Sequence, residues 1–175
     1  MGRKNKKQHI VIEKIKIIDT AHKGKSIAKL DKRVIIVDNG VPGDICDISI
    51  YKKRRKYWQA TIIKFHKYSN IRVDSKCEHF GVCGGCKWQN MNYKSQLKFK
   101  EREVLNNLER IAKVKTNGYK KILANKETYY YRNKLEFTFS NKRWLSKKEI
   151  ESNNEIKDRN ACGFHIPGMF NKVVD

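Results

Sequence analysis

Between Val11 and Phe65 the apolar residues fall into five short runs, each closed by a turn signal, and that punctuation limits this part of the chain to a small β structure. Ile12, Ile15 and Ile17 open the series, and Ser26-Ile27-Ala28-Lys29-Leu30 follows a turn at Gly24. Val34 to Val37 is a buried run ending in Asp38-Asn39-Gly40, after which Pro42-Gly43-Asp44 leads into Ile45, Asp47, Ile48 and Ile50. Tyr57 to Phe65 supplies a fifth, β-branched strand. Short strands at even spacing predict a five-stranded closed barrel of the oligonucleotide-binding type.

Charge identifies the kind of partner. With 40 Lys+Arg against 18 Asp+Glu, the 175 residues carry a formal net charge of +22, spread over the whole chain. A compact monomer with that self-repulsion is expected to meet an anionic partner, and nucleic acid is the first choice. A membrane would ask for a long apolar span or a basic amphipathic helix with a bulky apolar face. Met1 to Lys7 is basic, but Glu13, Lys14 and Lys16 interrupt the apolar stretch from Val11 to Ile18, so neither a signal peptide nor a membrane segment is expected.

The sharpest basic feature lies between the fourth and fifth strands, in Tyr51-Lys52-Lys53-Arg54-Arg55-Lys56-Tyr57-Trp58. Lys52, Lys53, Arg54, Arg55 and Lys56 form a cationic hairpin tip and Tyr57 flanks it, a pairing suited to unpaired RNA, where cations track phosphates and rings stack on bases. The plainer reading is a solvated hairpin with one of Tyr57 and Trp58 turned into the core.

Five cysteines, Cys46, Cys77, Cys83, Cys86 and Cys162, cannot all pair as disulfides, and with no export signal they point to a reducing cytoplasm. Cys77, Cys83 and Cys86 sit within ten residues around Gly84-Gly85. Thiolates so placed can face one inorganic core, with glycine N–H groups free to bond its sulfurs, but a four-iron cluster ordinarily takes four cysteines. Zinc, with His79 closing a tetrahedron, is the rival. Spacing alone leaves both open.

Beyond the cysteines, Asn92 or Ser95 is expected to cap a helix running to about Lys113, with Leu97, Val104, Leu105, Leu108 and Ile111 as its packing face. From Tyr129 the alternation becomes period two, with Tyr131, Asn133, Leu135, Phe137 and Phe139 on one side, which predicts a half-buried strand. Ser146 to Asn160 reads as a polar loop, Ala161 to His165 as a strand, Ile166-Pro167-Gly168 as a turn and Val173-Val174-Asp175 as part of a further strand.

The run Cys77-x5-Cys83-Gly84-Gly85-Cys86-Lys87-Trp88-Gln89, followed by Tyr93 and Gln96-Leu97-x2-Lys100, closely resembles the cluster motif of the RNA 5-methyluridine methyltransferases that act on ribosomal RNA, the RumA/RlmD group. Pro42-Gly43-Asp44 and the basic hairpin resemble the TRAM domain that precedes that motif. Tyr131 to Phe137 and Gly163-Phe164-His165-x-Pro167-Gly168 resemble the segment that comes after it. The resemblance implies a TRAM barrel, a four-iron cluster with Cys77, Cys83 and Cys86 as three of its four ligands, and S-adenosylmethionine in a C-terminal Rossmann-like domain. There a cysteine adds to carbon 6 of uracil, carbon 5 takes the methyl group, and a base removes the carbon-5 proton.

Neither the glycine-rich loop for S-adenosylmethionine nor a nucleophile with its base is found in these residues, so the catalytic domain is expected to be absent from this chain. The family's fourth cluster ligand falls a few residues beyond a Val-x-Asp strand such as Val173-Val174-Asp175. Cys162 stands where the family has an apolar residue and is expected to be small and buried, with the fourth ligand as its alternative role; Cys46 is expected in the barrel core.

These expectations divide the chain into 1–68, a TRAM-like RNA-binding barrel; 69–90, a cysteine cluster loop; 91–126, helix and linker; and 127–175, an incomplete β-rich central domain. The function expected is that of the RNA-binding, iron–sulfur portion of an S-adenosylmethionine-dependent 23S rRNA (uracil-5-)-methyltransferase. Such a chain would be monomeric and cytoplasmic and would act on single-stranded or loop regions of ribosomal RNA. The alternative is a free-standing TRAM-type RNA-binding protein with a structural metal site. A radical methylthiotransferase is disfavoured, because there the cysteine spacing is x3 then x2 and the TRAM domain comes last.

Overall fold

The computed structural model describes residues 10–152 and 155–175. Strands β1 (Ile10–Ala21), β2 (Lys25–Leu30), β3 (Arg33–Asp38), β4 (Ile45–Lys53) and β5 (Tyr57–Lys67) close into a barrel in the order β1-β2-β3-β5-β4, with β4 returning to β1. All pairings are antiparallel except β3 with β5. Closure leaves no free sheet edge.

Alternation along the strands sends Ile15 and Ile17, Ile35 and Val37, and Cys46, Ile48 and Ile50 inward, where they join Ala28 and Ala60. Trp58, Ile62 and Phe65 pack against this core from β5. A bulge between Ile12 and Ile15 takes Lys14 to positive φ and off the ladder; the Asp47 carboxylate accepts its N–H at 2.8 Å and the His66 ring nitrogen lies 2.6 Å from the same oxygen.

A buried carboxylate closes the barrel's exit. Asp44 accepts from Val41 N (2.7 Å) and Ser69 N (2.9 Å), and from Arg72 through Nη2 at 2.6 Å and Nε at 3.1 Å. The Arg72 guanidinium lies over Phe65 and Tyr68, so one side chain joins the end of β5 to the β3–β4 turn. Arg72 bridges Met91, and residues 71–73 and 90–92 exchange backbone bonds where the chain leaves this unit and comes back.

Helix α1 (Tyr93–Arg110) starts at Asn92, whose side chain accepts from Ser95 N, so Asn92 is the cap. Phe99 is its buried residue. Of the expected packing face, Leu97 and Leu105 are half-buried, but Val104, Leu108 and Ile111 are exposed, the last at 77 %. The helix is held to the barrel at its other side, by Arg102 with Asp19 and by His22 with Glu103.

The described residues form two compact units, one ending at Asp74 and resuming over Asn90–Leu123, the other made of Ser75–Gln89 and Ala124–Asp175. The second contains β6 (Thr138–Ser140), the short α2 (Lys147–Glu151), β7 (Ala161–Ile166) and β8 (Met169–Val174), with the strands ordered β6-β7-β8. Gly163 is required there, since a Cβ would stand 1.8 Å from the Val174 carbonyl oxygen.

Three expectations are corrected in this unit. The strand expected from Tyr129 through Phe139 is confined to Thr138–Ser140, because in this stretch only Thr138, Phe139 and Ser140 have a ladder partner, on β7; Tyr131, Leu135 and Phe137 are exposed. The expected loop from Ser146 contains α2, nucleated by a capping box in which Ser146 and Glu149 satisfy each other's backbone N–H groups. Cys162 is exposed rather than buried: with Ala161 and Gly163 facing inward, alternation turns the residue between them out. Cys46, by contrast, is fully buried in the barrel as expected.

Candidate functional site

The basic hairpin joins β4 to β5, closed by Arg54 N donating to Tyr57 O at 2.9 Å, with Lys53 opposite Trp58 and Lys52 opposite Gln59. Every residue from Tyr51 to Tyr57 is exposed, while Trp58 is half-buried against the core. The inward ring is therefore Trp58, and Lys52, Lys53, Arg54, Arg55, Lys56 and Tyr57 remain available on a rigid barrel end.

Residues distant in sequence join the hairpin because β3 runs parallel to β5. Ile35 pairs with Trp58, which brings Arg33 alongside; its guanidinium and the Lys53 ammonium each lie 5.0 Å from the Trp58 ring centroid. Arg33 also donates to Arg55 O at 3.2 Å. On the neighbouring wall Tyr51 donates to Asp38 at 3.0 Å and Lys25 pairs with the other oxygen of that carboxylate. Burial and the Asp38 charge push the Tyr51 hydroxyl above its ordinary pKa. Burial is the largest single influence on Lys25 and opposes its protonation, but the hydrogen bond and charge of Asp38, together with Tyr51, outweigh it and raise its pKa. The hydroxyl tie leaves the Tyr51 ring 45 % exposed in a fixed orientation. Local sequence did not reveal the Arg33–Trp58 contact, which follows from the parallel β3–β5 pairing, nor the meeting of Lys25 and Tyr51 at Asp38, at the other end of β3.

The cysteine loop is built from overlapping turns. Phe80 N donates to Cys77 O, and Val82 N and Cys83 N both donate to His79 O. Gly84 N donates to His165 O at 3.0 Å, and a Cβ on Gly84 would come 2.8 Å from that oxygen, so glycine is needed for the loop to lie on β7. Two sulfurs already receive N–H groups: Cys83 from Gly85 N at 3.3 Å and Cys86 from Gln89 Nε2 at 3.1 Å. Gln89 Oε1 accepts from Cys77 N at 3.3 Å. Cys77 and Cys86 are exposed and Cys83 partly so.

Among the described residues, no three Cys, His, Asp or Glu side chains gather within reach of one ion. Cys77, Cys83 and Cys86 are the thiols that could serve as ligands, and N–H groups are already directed at two of their sulfurs. None of the described helices is long and apolar enough to cross a membrane.

Comparison with known proteins places this geometry. Residues 4–63 match the TRAM domain. An RNA methyltransferase of Bacteroides thetaiotaomicron is 48% identical over 154 residues, 88% of this chain and 34% of that protein. One of Porphyromonas gingivalis is 44% identical over 164 residues, 92% of this chain and 35% of its own length. The 23S rRNA (uracil(1939)-C(5))-methyltransferase RlmD of Psychromonas ingrahamii is 27% identical over 166 residues, 93% of this chain and 37% of that protein. A barrel that matches TRAM and a likeness that runs on through the cysteine loop and the second unit lead to one conclusion: the chain carries a TRAM domain and is similar over most of its length to proteins named RNA methyltransferases, of whose length it spans about a third.

Proposed function

We propose that this chain is the RNA-gripping, iron–sulfur portion of an S-adenosylmethionine-dependent 23S rRNA (uracil-5-)-methyltransferase. The observation that carries the reading is the hairpin: five consecutive cations, Lys52 to Lys56, and Tyr57 are all exposed on the end of a closed barrel. Its rigid base holds those charges in register with the phosphates of an unpaired strand, and the flanking rings offer stacking surfaces. Residues 1–68 thus bind ribosomal RNA, 69–90 carry the cluster, 91–126 link, and 127–175 open the central domain.

Cys77, Cys83 and Cys86 would hold three corners of a four-iron cluster, and Gly85 and Gln89 would bond its thiolates. The cluster, when bound, supplies a rigid anionic staple for an otherwise turn-built loop. S-adenosylmethionine would be bound by a catalytic domain of the whole enzyme rather than by these residues. A reducing cytoplasm suits both free thiols and RNA substrates, and the self-repelling charge favours a monomer.

Binding of a short unpaired ribosomal RNA strand, followed by fluorescence anisotropy across a salt series, tests the reading. Alanine at Lys52 through Lys56 should weaken binding and flatten the log–log salt slope by about 0.7 for each phosphate that is no longer neutralised. An unchanged slope removes the hairpin from the interface. Iron and sulfide in equal amounts in protein prepared without oxygen support the cluster; zinc in their place overturns it.

A further inference from the structure

Against one flank of the hairpin, and sharing Arg55 and Lys56 with its tip, a cavity of about 460 Å³ opens between the β2–β3 turn and the start of β5. Its walls are Leu30, Asp31, Lys32 and Arg33 on one side and Arg55, Lys56 and Trp58 on the other. The volume is in the range of about 300–1,000 Å³ typical of small-ligand sites. Asp31, at positive φ, forms the tight turn that brings Lys32 and Arg33 to the rim, and the Arg33 bond to Arg55 O joins the two walls. Trp58 gives the cavity an aromatic wall anchored in the barrel core, with the Arg33 guanidinium over the ring.

Four cations against one carboxylate, together with an aromatic–guanidinium surface, offer complementary contacts to a phosphate and to a flat ring. We propose that this cavity takes one unpaired nucleotide of the RNA, its phosphate on Lys32, Arg33 and Lys56 and its base stacked on the Trp58–Arg33 pair. The proposal rests on the RNA-binding reading and adds a base-dependent site to it. Hairpin cations that touch only phosphates bind any strand of the same charge, whereas a stacking cavity distinguishes a strand with bases from one without. Arg33 is the pivotal side chain, because it belongs to the stack and to the phosphate contacts at once.

The experiment compares the 175-residue protein binding a labelled single-stranded RNA and an abasic strand of equal length and charge. Wild type should prefer the base-bearing strand by about tenfold, the scale of one base–aromatic stack. Arg33→Ala, at an exposed position outside the core, should lose a large part of that preference, the remainder being the share of the exposed Tyr51 and Tyr57 rings. Lys52→Ala with Arg54→Ala should weaken both strands alike and keep the preference. Trp58→Phe is the second variant, retaining a ring in the core while reducing the stacking surface, and should lower the preference partway. Equal binding of the two strands by wild type, or an undiminished preference in Arg33→Ala, overturns the cavity while leaving RNA binding in place. Failure of wild type to bind either strand overturns the RNA reading and the cavity with it.

Discussion

The side-chain amide of Gln89 donates to the Cys86 sulfur at 3.1 Å while its carbonyl oxygen accepts from the Cys77 N–H at 3.3 Å, so one residue fixes the first and last cysteines of the loop relative to each other. Removing such support around metal ligands costs about 10- to 100-fold in metal affinity. Gln89→Leu is therefore expected to lose iron to a chelator at least tenfold more readily than wild type. Gln89→Glu keeps an acceptor for Cys77 but offers Cys86 no N–H and adds a negative charge, and should fare no better. Iron retention equal to wild type in Gln89→Leu would show that the amide does not support the cluster.

The parts of this molecule legible from sequence are those fixed by local alternation and turn chemistry. Ile15 and Ile17 mark a strand face by period two, and Asn92 marks a helix start, because each signal acts over a few residues, whereas the run Val34 to Val37, expected to be buried throughout, buries only Ile35 and Val37. The same alternation misled at Tyr131 to Phe137, since period two makes a strand only where a neighbour supplies hydrogen bonds, and β7 reaches only Thr138 to Ser140. Ser146 and Glu149 carried a readable capping box, masked by the polar composition around them. The association of Arg33 with Trp58 and of Lys25 with Tyr51 through Asp38 depends on how the barrel closes, information no local window contains. The thiol loop was legible as a close-set group of cysteines, but its ties to Gln89 emerged only from the fold.

Asp44 is fully buried and its four hydrogen bonds join the β3–β4 turn to Ser69 and Arg72. Deleting one member of a buried pair leaves the other charge uncompensated, at a cost of about 3–5 kcal/mol. Asp44→Ala should lower the urea midpoint accordingly, and Asp44→Asn, which retains part of the bonding, should lose less. A stability loss below about 1 kcal/mol in Asp44→Ala, the range of an exposed pair, would place the carboxylate in solvent.

The five thiols should separate by reactivity. Burial, followed by the charges of Asp44 and Asp47, pushes the Cys46 thiol up to about 11, so it should resist alkylation at pH 8 until the barrel unfolds. Cys162 is exposed and should react promptly, even in iron-loaded protein where Cys77, Cys83 and Cys86 are shielded. Peptide mass spectrometry after brief iodoacetamide treatment reads all five at once. Protection of Cys162 on iron loading would make it the fourth cluster ligand, and rapid labelling of Cys46 would contradict its place in the core.

The α2 cap should respond to acid far below the ordinary carboxylate range. Glu149 accepts from Ser146 N and from Arg143, both at 2.8 Å, and the Ser146 backbone bond first, then Arg143, lowers its pKa to about 2. A folded pKa below the unfolded value, about 4.3, means that the carboxylate contributes stability above pH 4.3 and loses it progressively as pH falls through 2. The Ser146 amide resonance should therefore stay constant from pH 7 to about 4 and move with a midpoint near 2. Glu149→Gln should abolish that titration, since its neutral amide has nothing to protonate. A midpoint at the unperturbed value in wild type would show that Ser146 and Arg143 do not hold the carboxylate, and α2 would then lack the cap that starts it.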